Sequence, residues 1–368
     1  KGCSRALGLR GILSIVSQEA GKRVLLRKPP KKILIVKPSS LGDVVHSLPF
    51  LNSVRSCFPK AEIHWVIAKG LEGLLEGNPM IDRLVVINKD RWKKISRAAS
   101  TLREVKGLFN EIRGEGYDLA VDLQGLMRSG VITMASRARM RIGFSEAREG
   151  SRLFYNKRVC GGRDVHAVDR YLKIAGALGC ETGNPVFSFP LTKKGAEEGR
   201  KLREEFGDYI VIVPGARWDT KIWPAENFGE VAAKLSVRCI VVGSVSDGKI
   251  AERVVGASRG NAVSLAGRTG ITELIELMRW AKLAISNDSG PMHIAAALDV
   301  PVVAVFGPTS AGRTGPYGNR HAIIESGVPC APCFRKKCPD VKCMRGIAPE
   351  VVYEKVKNLI EGPRGFPE

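Results

Sequence analysis

No apolar run in this chain approaches the ~20 residues a helix needs to cross a bilayer, so the sequence excludes a helical membrane span. Aromatic residues are scarce, at 6%, too few to stack a string of bases, and no nucleic-acid module is recognisable, which sets nucleic acid aside as a partner. Acidic residues are also short: 37 Asp and Glu stand against 58 Lys and Arg, a formal net charge of +21. That balance favours an anionic partner, either a phosphorylated substrate or an anionic membrane surface. Two signatures are missing. There is no complete Gly-x-Gly-x-x-Gly, hence no expectation of a dinucleotide cofactor or of any other cofactor. Nor is there an Asp-x-Asp triplet, the paired carboxylates with which metal-dependent sugar transferases hold Mg²⁺ or Mn²⁺. A departing diphosphate would then rely on Lys, Arg and backbone N–H groups. The nine cysteines are odd in number, and Cys3, Cys57, Cys160, Cys180 and Cys239 are scattered. That is unlike a secreted disulfide framework and indicates a reducing, cytoplasmic compartment.

What is present is an α/β rhythm. The 368 residues, 44% hydrophobic and 26% charged, give length for two domains of ordinary size. Apolar runs predict buried strands at Lys32–Val36, Glu62–Ala68, Arg83–Ile87 and Tyr117–Asp122, with helices over Val44–Phe58 (kinked near Pro49), Gly70–Glu76 and Ser96–Glu115. A helix over about His166–Leu178 precedes a stretch rich in Gly, Pro, Thr and Lys. The rhythm then restarts with strands at Tyr209–Val213, Cys239–Val242, Ala262–Leu265, Leu283–Ile285 and Val302–Phe306. Helices are expected between them, and a last one over Glu350–Ile360. Alternation of this kind means parallel sheets covered on both faces. The expected organisation is a basic extension over 1–30, a Rossmann-like acceptor domain over 31–180, a linker over 181–206, a Rossmann-like nucleotide-sugar domain over 207–348, and a helix and tail over 349–368. The extension reads as an unstructured tail or as an amphipathic segment on anionic lipid. Because the first residue is Lys, the natural chain is expected to begin earlier.

One stretch, Lys282–Pro308, organises the second half. A short buried strand meets the polar turn Ser286-Asn287-Asp288-Ser289-Gly290, Pro291 opens a helix over Met292–Leu298, and Val302–Phe306 returns as a strand. Such a unit aims a helix N-terminus out of the carboxyl edge of a sheet, where free N–H groups and the dipole receive an anion. Asp288 or Ser289 can serve there as a helix cap, as a phosphate neighbour, or as both.

Taken in order, the segments KKILIVKPSSLGDVVHSLP, YDLAVDLQGLMRS, HAVDRYL, PGARWDTKIWP and SNDSGPMHIAAALDVPVVAVFGPTSAGRTGPYG resemble the lipopolysaccharide heptosyltransferases, glycosyltransferase family 9. The resemblance runs from about Lys31 to Tyr317. The WKK stretch and SEARE…LFYNKR point within the family to the first inner-core enzymes. It implies the GT-B fold, two facing Rossmann-like domains, and metal-free, inverting transfer of heptose from ADP-heptose to the Kdo of lipid A at the cytoplasmic face of the inner membrane. Asp43 matches the family's proposed base; the sequence read alone favours a helix cap there, and the helix dipole that lowers its pKa keeps it ionised. Lys221 matches a lysine facing the donor phosphates, against the usual fate of Lys as a solvated side chain. Asp288, Ser289, Gly290 and His293 match the donor signature, with Ser289 where Thr is common, and Asp247 aligns with an acidic residue for the donor ribose. Arg148 matches an arginine for acceptor or donor sugar, or is a surface arginine. Ser39 and Ser40 are expected to line the cleft on the acceptor side, and His46 to be a packed histidine.

A departure follows at Cys330-x2-Cys333-x4-Cys338-x4-Cys343; similar cysteine runs occur in some relatives of the family, though not in every first inner-core enzyme. This run reads as reduced structural thiols, a facultative disulfide, or ligands for zinc or an iron–sulfur cluster; the spacing fits no standard zinc ribbon. A later heptosyltransferase, a transferase of another nucleotide sugar, and a cysteine-cluster metal-binding protein on an anionic surface remain as alternative functions.

Overall fold

The computed structural model describes residues 28–88, 98–190 and 193–361; the expectations for residues 1–27, for the WKK stretch and for the tail lie outside the described residues. Strands β1 (Lys32–Val36), β2 (Glu62–Ala68), β3 (Arg83–Ile87), β4 (Leu119–Asp122), β5 (Met140–Phe144) and β6 (Lys157–Val159) form one parallel sheet in the order β3-β2-β1-β4-β5-β6. Strands β7 (Tyr209–Val213), β8 (Arg238–Val241), β9 (Ala262–Ser264), β10 (Leu283–Asn287), β11 (Val302–Phe306) and β12 (Ala322–Glu325) form a second, ordered β12-β11-β10-β7-β8-β9. Counted from its own first strand, each sheet has the doubly wound order 3-2-1-4-5-6. Its chain reverses direction of winding between first and fourth strands, and ligands bind outside the carboxyl ends at that point. The switch points lie between β1 and β4 and between β7 and β10.

The strands form where the sequence runs apolar. KILIV in β1, YIVIV in β7 and VVAVF in β11 are buried along nearly their whole length, as strands covered on both faces must be. The helices are α1 (Leu41–His46), α2 (Leu48–Cys57), α3 (Ala98–Gly114), α4 (Met127–Ala135), α5 (Ala167–Ala177), α6 (Lys193–Phe206), α7 (Ala225–Lys234), α8 (Gly248–Ala257), α9 (Ile271–Arg279), α10 (Gly290–Ala297), α11 (Ala311–Thr314), α12 (Lys342–Arg345) and α13 (Pro349–Glu361). One apolar cluster runs from Ile33, Ile35 and Val45 through Tyr171 to Val211, Met292 and Phe306, so the two halves share a core.

Several local expectations are corrected. The single kinked helix over Val44–Phe58 is two helices, α1 and α2, separated at Ser47. Pro49 stands in the first turn of α2, where its missing N–H costs nothing. Helix α1 starts at Leu41 with Ser40 as N-cap, so Asp43 lies inside the first turn rather than before it. The donor helix α10 likewise begins at Gly290. Gly70–Glu76 yields only a 3-10 turn at Glu72–Leu74. The Gly- and Lys-rich stretch read as linker contains helix α6. The last helix, expected over Glu350–Ile360, is α13, and it packs on α7, β10 and β11, burying Val352 and Val356 in the second core.

Candidate active site

The first switch point is built on charge. Lys37 leaves β1 and is only 2% exposed. Its ammonium donates to the Leu123 carbonyl at 3.4 Å, stands 3.6 Å from Asp43 Oδ1, and lies 5.1 Å from the centre of the Tyr171 ring. Asp43 Oδ2 accepts from the Ser40 N–H at 3.0 Å and from the Ser40 hydroxyl at 2.7 Å, and Oδ1 accepts from the Tyr171 hydroxyl at 3.3 Å. The carboxylate is therefore both part of the helix cap and a fixed anion, still 40% exposed. Burial opposes its ionisation, but Lys37 and the Ser40 donors hold it far below the usual carboxylate range. Burial likewise works against the Lys37 ammonium, yet Asp43, Tyr171 and Asp122 together raise its pKa above the ordinary value. Ser39 lines a smaller cavity of about 260 Å³ with Gln124, Arg128 and Glu149, and its N–H donates to Gln124 Oε1 at 3.3 Å. Arg148 has an exposed side chain, and its N–H donates to the Gly125 carbonyl in the loop after β4 at 2.9 Å.

The second switch point is built on glycine, hydroxyls and amides. A cavity of about 590 Å³ is lined by Gly215 and Arg217 after β7, Ser244 and Asp247 after β8, and Ser289 and Gly290 after β10, with Leu41 of the first half as its opposite wall. Asp247 Oδ2 accepts from the Ser244 N–H at 2.7 Å and its hydroxyl at 2.6 Å. Lys221 is paired with Asp288 at 2.5 Å, and Thr309 donates to the same carboxylate oxygen at 2.6 Å. The Lys221 ammonium also lies 4.7 Å from the Trp218 ring centre. Asn287 ties the loops together, donating to the Pro214 carbonyl at 2.7 Å and accepting from the Trp223 N–H at 3.1 Å.

The halves meet at the starts of α1 and α10. A Cβ on Gly290 would lie 2.9 Å from Leu41, and one on Gly42 would collide with the His293 ring, so both helices depend on a bare backbone for this approach. His46 Nε2 and His293 Nδ1 share a hydrogen bond of 2.9 Å across the two domains, and His166 stacks edge-on against His46 with ring centres 5.2 Å apart. Burial holds both bridging imidazoles neutral, with the His46 pKa well below its ordinary value and that of His293 lowered to about 4. His293, expected at the donor, thus has one ring nitrogen committed to His46.

Ser39, Ser40 and Asp43 are therefore gathered at one edge, and Asp247, Ser289 and Gly290 around one cavity on the other. Lys37, Tyr171, Gln124, Arg217 and Thr309 were not singled out in the sequence. Each lies in or beside a strand-exit loop except Tyr171, which arrives on α5 and whose role no local signal marks.

Two facing Rossmann-like sheets, each with its loops gathered at a switch point beside a shared cleft, are the GT-B architecture. A family model described as glycosyltransferase family 9 (heptosyltransferase) matches residues 105–344. Lipopolysaccharide heptosyltransferase 1 of Pseudomonas aeruginosa is 32% identical over 324 residues, 83% of this chain and 87% of that protein. Among solved structures, the family 9 glycosyltransferase of Veillonella parvula superposes with a TM-score of 0.77 at 26% identity, covering 90% of this chain and 98% of its own. E. coli heptosyltransferase WaaC with ADP gives 0.74 at 25% identity, covering 89% and 99%. The chain belongs to glycosyltransferase family 9, the heptosyltransferases.

Proposed function

We propose that this glycosyltransferase moves L-glycero-D-manno-heptose from ADP-heptose to a Kdo hydroxyl of lipid A, with inversion and without a catalytic metal. The observation that carries the reading is the 590 Å³ cavity, which holds Asp247, Ser289 and Gly290 on one side and the start of the Asp43 helix on the other. The donor assignment draws on its relatives: WaaC of E. coli was solved with ADP and with ADP-2-deoxy-2-fluoro heptose.

In this reading the ribose rests at Asp247 and the diphosphate at Ser289, Gly290 and the first amides of α10, with Lys221 taking up the charge that builds on the departing ADP. Lys221 exchanges part of its pairing with Asp288 for the phosphate. The acceptor oxygen attacks the anomeric carbon from the Asp43 side. The new C–O bond forms as the bond to the β-phosphate oxygen breaks, ADP leaves with the electron pair, and the acceptor proton passes to the Asp43 carboxylate and on to solvent. A carboxylate held strongly ionised is a weak base at rest, but the hydroxyl becomes acidic only as the bond forms, and a fixed base then contributes about 10²- to 10⁴-fold. Ser39, Ser40 and Arg148 belong to the acceptor side. Among the described residues no helix is long and apolar enough to cross a membrane. The charge of +21 suits peripheral contact with the anionic, cytoplasmic face of the inner membrane, where the acceptor lies.

The test is a transfer assay that offers ADP-heptose and UDP-sugars in parallel to Kdo-lipid A. Transfer from ADP-heptose that survives EDTA is the expected result. Transfer only from a UDP-sugar, or only onto an already heptosylated acceptor, would replace this reading.

A further inference from the structure

The cysteine run near the end of the second domain plays no part in the transfer just described. We propose that Cys330, Cys333, Cys338 and Cys343 bind one thiophilic ion of the Zn²⁺ or Fe²⁺ class in a tetrahedral thiolate site that braces the wall of the donor cleft. All four cysteines are free. They fall in a segment with little else to order it: Cys330 and Cys338 are exposed and Cys333 half-buried, while Cys343 and Met344 are buried in the second core. A loop this poor in apolar contacts needs a staple, and a metal is one of the few available to so short a segment.

The backbone is already bent around the sulfurs. Phe334, directly after Cys333, has φ 55°, and Val341, three residues after Cys338, has φ 46°. A β-branched side chain seldom adopts that conformation, and here it turns the Val341 N–H onto Cys338 Sγ at 3.4 Å. An amide donor on sulfur favours the thiolate, the form that ligates metal. The two halves of the run are fastened to consecutive residues. The Phe334 N–H donates to the Pro308 carbonyl at 2.7 Å, and a Cβ on Gly307 would stand 2.9 Å from Cys343 Sγ. Arg335, Lys336, Lys337, Lys342 and Arg345 supply positive charge to offset four thiolates on one divalent ion.

No three of the sulfurs lie within 4.8 Å of one another, so binding must draw the exposed Cys330 and Cys338 side chains inward, releasing the thiol protons as the metal–sulfur bonds form. Among the described residues one trio of ligand atoms is that close, Glu62, His64 and Glu115. There the Lys32 ammonium already bridges the carboxylates at 3.0 and 2.7 Å, which leaves the thiols as the candidate. The loop also reaches the donor side. Thr220, beside Lys221, donates its hydroxyl to the Arg335 carbonyl at 2.9 Å, and the Lys336 ammonium lies 5.3 Å from the centre of the Trp218 ring. An ion here would stiffen the segment on which Lys221 stands and take no part in bond breaking.

The full chain, purified under reducing conditions from medium containing zinc and iron, is assayed by elemental analysis and thermal unfolding. About one metal ion per chain is expected, and the analysis says which. The paired substitution Cys330→Ser with Cys338→Ser, both at exposed positions, should lower bound metal at least tenfold, lower Tm, and raise the Kd for ADP several-fold. Less than about a tenth of an equivalent after anaerobic reconstitution with Zn²⁺ and then Fe²⁺, with all four thiols still open to titration, overturns the proposal. So does full metal retention by the double variant. Bound metal and Tm do not depend on which nucleotide sugar the enzyme uses; the ADP readout alone rests on the proposed donor.

Discussion

The two halves of the molecule share a strand order and differ in what they put at its turning point. The first places a buried lysine, a tyrosine and a carboxylate within a few ångströms of one another: Lys37, Tyr171 and Asp43. The second places glycines, serines and helix amides around an open cavity, with its lysine set back against Asp288. Parallel sheets of one topology can hold opposite ends of a reaction because the chemistry lies in the loops after the strands and not in the strands. The first edge fixes an anion. The second pairs its own lysine with Asp288 beside the open cavity.

That division of labour can be broken most sharply at Asp43. Asp43→Asn keeps the size of the side chain and should cut turnover about 10²-fold or more while leaving the Kd for ADP, measured by calorimetry, unchanged. An equal loss of ADP binding would mean that the edges are not separate. The converse substitution, Lys221→Ala, should weaken ADP binding by about 10- to 100-fold, the range for a hydrogen bond to a charged group, and slow transfer as well. Unaltered ADP affinity would remove the lysine from the donor side. A smaller effect is expected where the edges touch. Gly42→Ala drives a methyl into the His293 ring and should cost at least about 1 kcal/mol, read as a lower Tm and a less compact particle in small-angle scattering.

The comparison also separates what the sequence discloses from what it hides. Strands β1, β2, β3, β7 and β11 are predicted to the residue, because each is a short apolar run between breakers, even edge strand β3, where Arg83 and Val86 are exposed. Edge strand β6, Lys157–Val159, is three residues long with its two basic residues exposed, and nothing apolar announces it. Helix α6 is concealed in the stretch read as linker by Gly195 and Gly199; a Cβ on Gly199 would meet the Trp280 indole at 2.7 Å, so that glycine is spent on packing. The second edge is legible because its residues are neighbours in sequence, from Asn287 to Gly290. The first is half legible: Ser40 and Asp43 sit on one turn, but the exit-loop Lys37 is buried against Leu123 and Tyr171, 86 and 134 positions away. A local pattern cannot show that approach.

The finest test is of the bridge itself. His46 faces His293, His166, Asp43 and Lys37, and His293 faces Asp288, Asp43, His166 and Lys221. Their shared hydrogen bond needs one imidazole to donate and a neutral one to accept. Were the two halves to part into an open state, both rings would titrate near 6.5, whereas in the closed arrangement of this structure burial lowers His293 to about 4 and His46 well below its ordinary value. The closed state therefore binds fewer protons than the open one. Its advantage is complete above about pH 6.5 and is lost as pH falls from there toward 4. Asp43 cannot produce that limb, since its carboxyl stays ionised throughout the window. The kcat/KM profile of the wild-type enzyme should accordingly bend downward below about pH 6.5. His46→Ala should cost only about 2- to 10-fold at pH 8, one neutral hydrogen bond, and should flatten the bend by removing one of the two titrating rings. If the acid limb persisted unchanged in His46→Ala and in His293→Ala alike, closure would not be gated by these imidazoles, and the two edges would be joined by packing alone.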